Sequence, residues 1–219
     1  MIELIDITKS YNTKNILEEA SVSFESGSRT ALTGPSGSGK TTLLNLIAGL
    51  IPMDKGMIRI DGRISDTPGS SIHPSLRNLG FAFQFPSLWP HLTVKHNILY
   101  GLSGLDKKEK YSRYSNMLDA LEIADIADKY PGEISGGQAK RVSLARTMVV
   151  KPRYLLLDEP LNNLDKDLKD KVLKVIRELV TTENTTLIYV THDLQEATSV
   201  CDRFCCMEDK KITVNPVVV

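Results

Sequence analysis

RTALTGPSGSGKTT, running from Arg29 to Thr42, decides how the rest of the chain is read. RTALT, with its apolar centre, reads as a short buried strand, and a Gly/Ser corner then opens into the apolar helical stretch TTLLNLIAGL, ending near Gly49. Gly34-x-x-x-x-Gly39-Lys40-Thr41 has the spacing of a phosphate-binding loop, in the strand–loop–helix context that gives such a match meaning. Gly34, Gly37 and Gly39 permit a backbone path that a Cβ would block, with Pro35, Ser36 and Ser38 between them. The loop N–H groups then converge on phosphate oxygens at a helix N-terminus, whose dipole adds to the attraction. Lys40 supplies a cation to the β- and γ-phosphates, the Thr41 hydroxyl a ligand for Mg²⁺, and Thr42 continues the turn. A plain Gly/Ser turn before a helix is the alternative, and Lys-Thr in register after an apolar strand argues against it.

Outward from this loop, the opening section is β-rich: IELIDIT (Ile2–Thr8), SVSFES (Ser21–Ser26), MIRIDG (Met57–Gly62) and a buried LGFAFQ (Leu79–Gln84). From about Pro86 to Val150 the pattern turns helical, and YSRYSNMLDALEI puts Tyr114, Leu118 and Leu121 on one face. After Pro152 strands and helices alternate: YLLLD, then DLKDKVLKVIRELV with Leu168, Val172, Val175 and Leu179 inward, then TLIYVT, DLQEATSV and RFCCME. Strand–helix alternation predicts an α/β fold with a parallel sheet, interrupted by a helical insertion.

YLLLDEP (Tyr154–Pro160) is a buried strand ending in paired carboxylates. Asp158, at the carboxyl edge of a strand, is placed to hold the water shell of Mg²⁺, while Glu159 points elsewhere and can orient or deprotonate a water. An ordinary solvated Asp-Glu turn is the bland reading, which the buried strand and the phosphate loop outweigh. His192 closes TLIYVT next to the strand expected near the phosphate loop, which favours a γ-phosphate contact over a structural histidine. Gln84 ends its strand in the same way, a weaker signal for an amide touching Mg²⁺ or water.

ISGGQAKRVSLAR (Ile134–Arg146) carries a second polar, Gly-rich helix start. The order of phosphate loop, Gln84, SGGQ, LLLDEP, LNNLD and THD resembles the nucleotide-binding subunit of ATP-binding cassette (ABC) transporters across essentially the whole chain. That resemblance implies a P-loop NTPase core with a parallel sheet, an N-terminal antiparallel β subdomain and an inserted α-helical subdomain. The chain then reads as one ABC ATPase domain over residues 1–219, with 1–85 and 151–219 as the core and 86–150 as the helical part. It also implies ATP and Mg²⁺ as cofactors, and a head-to-tail pair with a second copy or a homologous ATPase subunit. Each ATP would lie between one subunit's Gly34–Thr42 loop and the other's signature helix, touched in trans by Ser135, Gly136, Gly137 and Gln138.

By the same resemblance Tyr11 matches the aromatic that stacks on adenine, Glu159 the catalytic base and His192 the switch histidine. Lys40 completes the catalytic set, Asp165 matches the loop touching the opposing site, and Thr41, Gln84 and Asp158 match the metal positions. Gln84 also matches the lever that faces the membrane partner. Three departures stand out: Ile134 in place of the usual Leu, Ala139-Lys140 where Gln or Arg is frequent, and Asn162-Asn163 where small residues are more usual. None removes a phosphate contact.

FPSLWPHLTVKHNILYGL (Phe85–Leu102) looks like the segment after the Gln loop in bacterial importer subunits, and the Glu-rich segment of fused exporters is missing. Import through separate integral-membrane permease subunits is therefore the primary expectation. An export ATPase with separate membrane subunits, or a soluble ABC ATPase outside transport, are the alternatives. The sequence runs only briefly past Ile212, short for the regulatory β-domain of some importer ATPases.

The bulk properties agree with this reading. Hydrophobic content of 41%, charged content of 25% and zero formal net charge are ordinary for a soluble globular protein and give no support to nucleic acid as a partner. No signal-like N-terminus and no apolar run long enough to cross a bilayer are present, so the expected location is cytoplasmic, peripheral on the inner membrane face. The cysteines Cys201, Cys205 and Cys206 have no metal-ligand spacing and read as small buried side chains.

Overall fold

The computed structural model of the chain describes residues 1–162 and 164–216. The strands are β1 (Ile2–Tyr11), β2 (Lys14–Phe24), β3 (Arg29–Thr33), β4 (Lys55–Ile60), β5 (Arg63–Thr67), β6 (Ser70–Ser71), β7 (Leu79–Ala82), β8 (Tyr154–Asp158), β9 (Thr186–Val190), β10 (Arg203–Glu208) and β11 (Lys211–Pro216). The helices are α1 (Lys40–Ala48), α2 (Val94–Leu99), α3 (Lys107–Ala120), α4 (Gly136–Met148), α5 (Lys166–Thr182) and α6 (Leu194–Val200).

Two sheets result. One is antiparallel, in the order β2-β1-β4-β5-β6. The other runs β11-β10-β3-β9-β8-β7 and is parallel except for the β10–β11 hairpin. Strand periodicity sends alternate residues of the parallel sheet into two cores. Ala31, Leu155, Leu157, Leu187 and Tyr189 join the cluster built with helices α2 to α6. Leu32, Tyr154, Leu156, Ile188 and Val190 face α1 and the antiparallel sheet.

This frame has one consequence for the site: β3, β9, β8 and β7 lie side by side and point the same way. Their carboxyl ends therefore deliver Gly34, Thr191-His192, Asp158-Glu159 and the Gln84 segment to one edge. Open α/β sheets bind ligands at that edge.

Several expectations need correction. β1 and β2 are longer than the alternation indicated, because Asp6 and Glu19 adopt positive φ (51° and 48°) and the β1–β2 register shifts at bulges, which breaks the period of two. LGFAFQ is a strand only to Ala82, so Gln84 lies beyond the end of β7. The stretch around Tyr114 and Leu118 begins earlier, capped by Asp106, and ends at Ala120, although Leu121 is buried as expected. On α5 the buried face is Val172, Leu173, Ile176 and Val180, while Leu168, Val175 and Leu179 pack along its margin. The short strands β5, β6 and β11 have no clear pattern in the sequence. Cys201 and Cys205 are buried, Cys206 only half-buried, and all three are free thiols. Burial pushes the Cys205 thiol up to about 11, which keeps it unreactive.

Candidate functional site

The Gly34–Thr42 loop wraps around its own lysine. Lys40 Nζ donates to the carbonyls of Gly34 (2.8 Å) and Pro35 (2.9 Å), and the residue is only 8% exposed. Two glycines are required by contact as well as by φ. A Cβ on Gly34 (φ 138°) would come within 2.3 Å of the Met207 carbonyl oxygen, and one on Gly39 (φ 104°) within 2.9 Å of Ile16 Cγ2. Gly39 also starts α1, whose first-turn N–H groups stay available to a ligand. Within the loop, Ser38 Oγ is a buried polar atom with no hydrogen-bond partner among the described residues, the kind of orphan a bound anion satisfies.

Ser36, Gly37, Gly39, Lys40, Thr41, Thr42, Gln84 and Glu159 line one cleft of about 440 Å³, together with Lys14 and Ile16 from β2. That volume lies within the range of small-molecule sites. Thr41 Oγ1 donates to Asp158 Oδ2 at 2.7 Å, joining α1 to the end of β8. Asp158 is 2% exposed. Burial pushes its carboxyl up from the usual value, and the Glu159 charge adds to this, against the Thr41 hydrogen bond and the charges of Lys40 and Lys140. A buried carboxylate whose charge is disfavoured, hydrogen-bonded to a hydroxyl, offers hard oxygens of the kind Mg²⁺ takes.

Glu159 is the hub of the remaining contacts. Its φ of 46° turns the side chain away from the strand alternation, and its N–H donates to the Val190 carbonyl at 3.0 Å. Gln84 Nε2 donates to its Oε2 at 3.2 Å, Asn162 Nδ2 donates to the same oxygen, and His192 Nδ1 lies 4.0 Å from Oε1. His192 has 70% of its side chain exposed. Asn163, the other half of the Asn pair, lies outside the described residues.

The second Gly-rich helix start is built differently. Ser135 caps α4 in a reciprocal box: Gln138 N donates to Ser135 Oγ at 3.3 Å, and Ser135 N donates to Gln138 Oε1 at 2.9 Å. Ser135 and Gly136 are exposed, and a Cβ on Gly136 would meet nothing within 4 Å. Asp165 caps α5 by accepting from Leu168 N at 3.0 Å. A Cβ on Gly137 would lie 3.4 Å from Leu164 Cδ2, so this helix start sits beside the LNNLD loop. None of Ser135, Gly136, Gly137, Gln138 or Asp165 lines the cleft of its own chain. Tyr11 does not line it either. It is 48% exposed at the end of β1, paired across the hairpin with Lys14, which does.

Three participants escaped the sequence reading. Asn162 holds Glu159. Lys140, 6% exposed, donates from Nζ to the Gln84 carbonyl. Glu196 is buried beneath the His192 turn and accepts from Thr191 Oγ1 (2.9 Å), Tyr189 OH (3.1 Å) and Lys169 Nζ (2.6 Å). Only the oddity of Ala139-Lys140 and Asn162-Asn163 against the family pattern pointed at the first two.

Residues 17–162 match the family described as ABC transporter. The sulfate/thiosulfate import ATP-binding protein CysA of Escherichia coli (strain K12) is 41% identical over 217 residues, covering 96% of this chain and 58% of that protein. The Fe(3+) ions import ATP-binding protein FbpC of Serratia marcescens is 41% identical over 211 residues, covering 96% of this chain and 61% of that protein. Among solved structures, the ATP-binding cassette MJ0796, described as dimeric in a post-hydrolysis state bound to ADP and Pi, superposes with a TM-score of 0.88 at 27% identity, covering 99% of this chain and 98% of that one.

A parallel sheet presenting a phosphate loop, an Asp-Glu pair and a separate SGGQ helix cap defines the class: the chain belongs to the ABC transporter family and has the fold of its ATP-binding cassette. Within that family, these relatives are import ATP-binding proteins, and the chain spans about three fifths of their length.

Proposed function

We propose that the chain is the ATP-hydrolysing subunit of an ABC importer, working as a head-to-tail pair on separate permease subunits at the cytoplasmic membrane face. The observation that carries this is the convergence of Lys40, Thr41, Gln84 and Glu159 on one strand-end cleft, with Asp158 bonded to Thr41 and His192 beside Glu159. The import direction draws on the printed names of the relatives. Among the described residues no helix is long and apolar enough to cross a membrane, so passage would belong to other subunits. The division into a core (1–85 and 151 onward) and a helical unit (86–150) is part of the same proposal.

In this reading ATP enters along the Gly34–Thr42 loop. Lys40 exchanges the Gly34 and Pro35 carbonyls for phosphate oxygens, and Ser38 Oγ gains its missing partner. Thr41, Asp158 and Gln84 would hold Mg²⁺, which when bound neutralises phosphate charge. Glu159 accepts a proton from the attacking water, and His192 reaches the terminal phosphate from the facing edge. Tyr11, on the exposed hairpin end next to Lys14, stacks on the base. The Ser135 hydroxyl accepts its capping bond and keeps its own O–H to donate to the partner's nucleotide, as do the N–H groups of Gly136 and Gly137. Gln138 braces that turn, and Asp165 brings the adjoining loop to the opposing site.

Phosphate release by the purified chain tests the assignment. Glu159→Gln is expected to lower turnover at least about a hundredfold while ATP still binds. Turnover at the wild-type rate would remove Glu159 from the role of base.

A further inference from the structure

Lys140 is unusual for its place. It lies one turn inside α4, two residues past Gln138 of the Ser135–Gln138 box, and is 6% exposed. Among the described residues its Nζ makes one hydrogen bond, to the main-chain carbonyl of Gln84, 56 residues earlier. A lysine side chain carries a large rotamer entropy, so holding it buried on one backbone oxygen fixes that oxygen's position at some cost. The same Gln84 donates its side-chain amide to Glu159 at 3.2 Å. An unbroken set of contacts therefore runs from the exposed start of α4, through Lys140, to the Gln84 backbone and on to the Glu159 carboxylate.

The alternative route between these elements is thin. Thr147 Oγ1 lies 3.5 Å from the Phe81 carbonyl, but it is two turns further along α4 and already donates to Ser143 O at 2.9 Å. At the helix start, where the partner's nucleotide would press, Lys140 is the polar tie to the Gln84 segment.

Resting on the function proposed above, we infer that Lys140 is a positioning residue. It ties the signature end of α4 to Gln84, so that engaging the partner's nucleotide on one face sets Glu159 for hydrolysis of the subunit's own. A neutral side chain at 140 would make this tie weaker. A charged donor to a carbonyl is the stronger bond.

The test uses the purified chain with Lys140→Met, Lys140→Arg, Gln84→Ala and the double variant Lys140→Met/Gln84→Ala. Lys140→Met is expected to lower kcat by roughly ten- to a hundredfold, the scale of a misplaced catalytic group. KM for ATP should stay within about twofold, because no nucleotide contact is lost. Lys140→Arg should recover most of the rate. The double variant should be no slower than Gln84→Ala alone, since both changes cut the same connection.

A readout independent of turnover is amide hydrogen exchange without nucleotide, where residues 83–85 should exchange faster in Lys140→Met. If that variant does not fold, Lys140→Gln is read in the same two assays. Wild-type kcat, effects that multiply in the double variant, or unchanged exchange at 83–85 would each overturn the role of Lys140. A wild-type chain that neither binds nor hydrolyses ATP would instead overturn the proposed function.

Discussion

Asp158 and Lys40 show opposite electrostatic strategies a few residues apart in space. Lys40 is satisfied before any ligand arrives, since two loop carbonyls accept from it. Its replacement by Ala is expected to weaken ATP binding by roughly ten- to a hundredfold, the value of a charge-assisted contact, as measured by nucleotide titration. Asp158 is the reverse case, a buried carboxylate whose ionisation the fold resists. Because its folded-state value is raised, the folded chain keeps a proton that the unfolded chain has released, and stability falls as pH rises through that window. The stability of Asp158→Asn relative to wild type should therefore grow as pH climbs from about 4 and level off above the raised value. Urea unfolding of both proteins across pH reads this difference, and a flat difference would contradict it. In wild type, Mg²⁺ and ATP together should cancel much of the cost, whereas Asp158→Asn should gain little from the metal.

Among the elements, the helix that carries the phosphate loop is anchored at its far end by Arg77. The guanidinium donates to the Ile47 carbonyl in the last turn of α1 and to Asp66 Oδ1 of β5 at 2.7 Å, with side chains 1% and 6% exposed. It also fills the space where a Cβ on Gly49 would sit, at 2.1 Å from Arg77 Nη2. Arg77→Met leaves Asp66 buried without its cation, and is expected to destabilise the fold by about 3–5 kcal/mol in denaturant unfolding. Gly49→Ala attacks the same joint through both φ (71°) and volume, and should also destabilise.

Neither partner of this joint was legible in the sequence, since Asp66 and Arg77 lie in a stretch of short strands with no periodicity. The same limit explains what else escaped. The β3–loop–α1 unit and the Tyr154–Glu159 stretch are each contiguous, so pattern and chemistry coincide and both could be read. The β1–β2 hairpin lost its period at the Asp6 and Glu19 bulges. The hold of Lys140 on Gln84 and of Asn162 on Glu159 depends on how elements pack, which spacing alone does not encode. Gln84 and His192 were recognisable because each follows a strand, and the sheet order β3-β9-β8-β7 turned those ends into neighbours.

For the molecule as a whole, the decisive feature is that its two Gly-rich helix starts do not share a cleft. The Gly34–Thr42 loop lines one, and Ser135–Gln138 with the Asp165 loop forms an exposed surface elsewhere. Under the proposed function a single subunit leaves both half-built, and two subunits in head-to-tail contact would complete two sites at once. On that proposal nucleotide would act as the adhesive, stabilising the pair by binding the joined state preferentially, and loss of its terminal phosphate would release it. The most direct measurement is the molar mass of Glu159→Gln by light scattering, with and without saturating ATP. The account predicts a shift from monomer to dimer that requires ATP and is lost when Ser135→Arg is added. A Glu159→Gln chain that binds ATP yet remains a monomer at high protein concentration would contradict it.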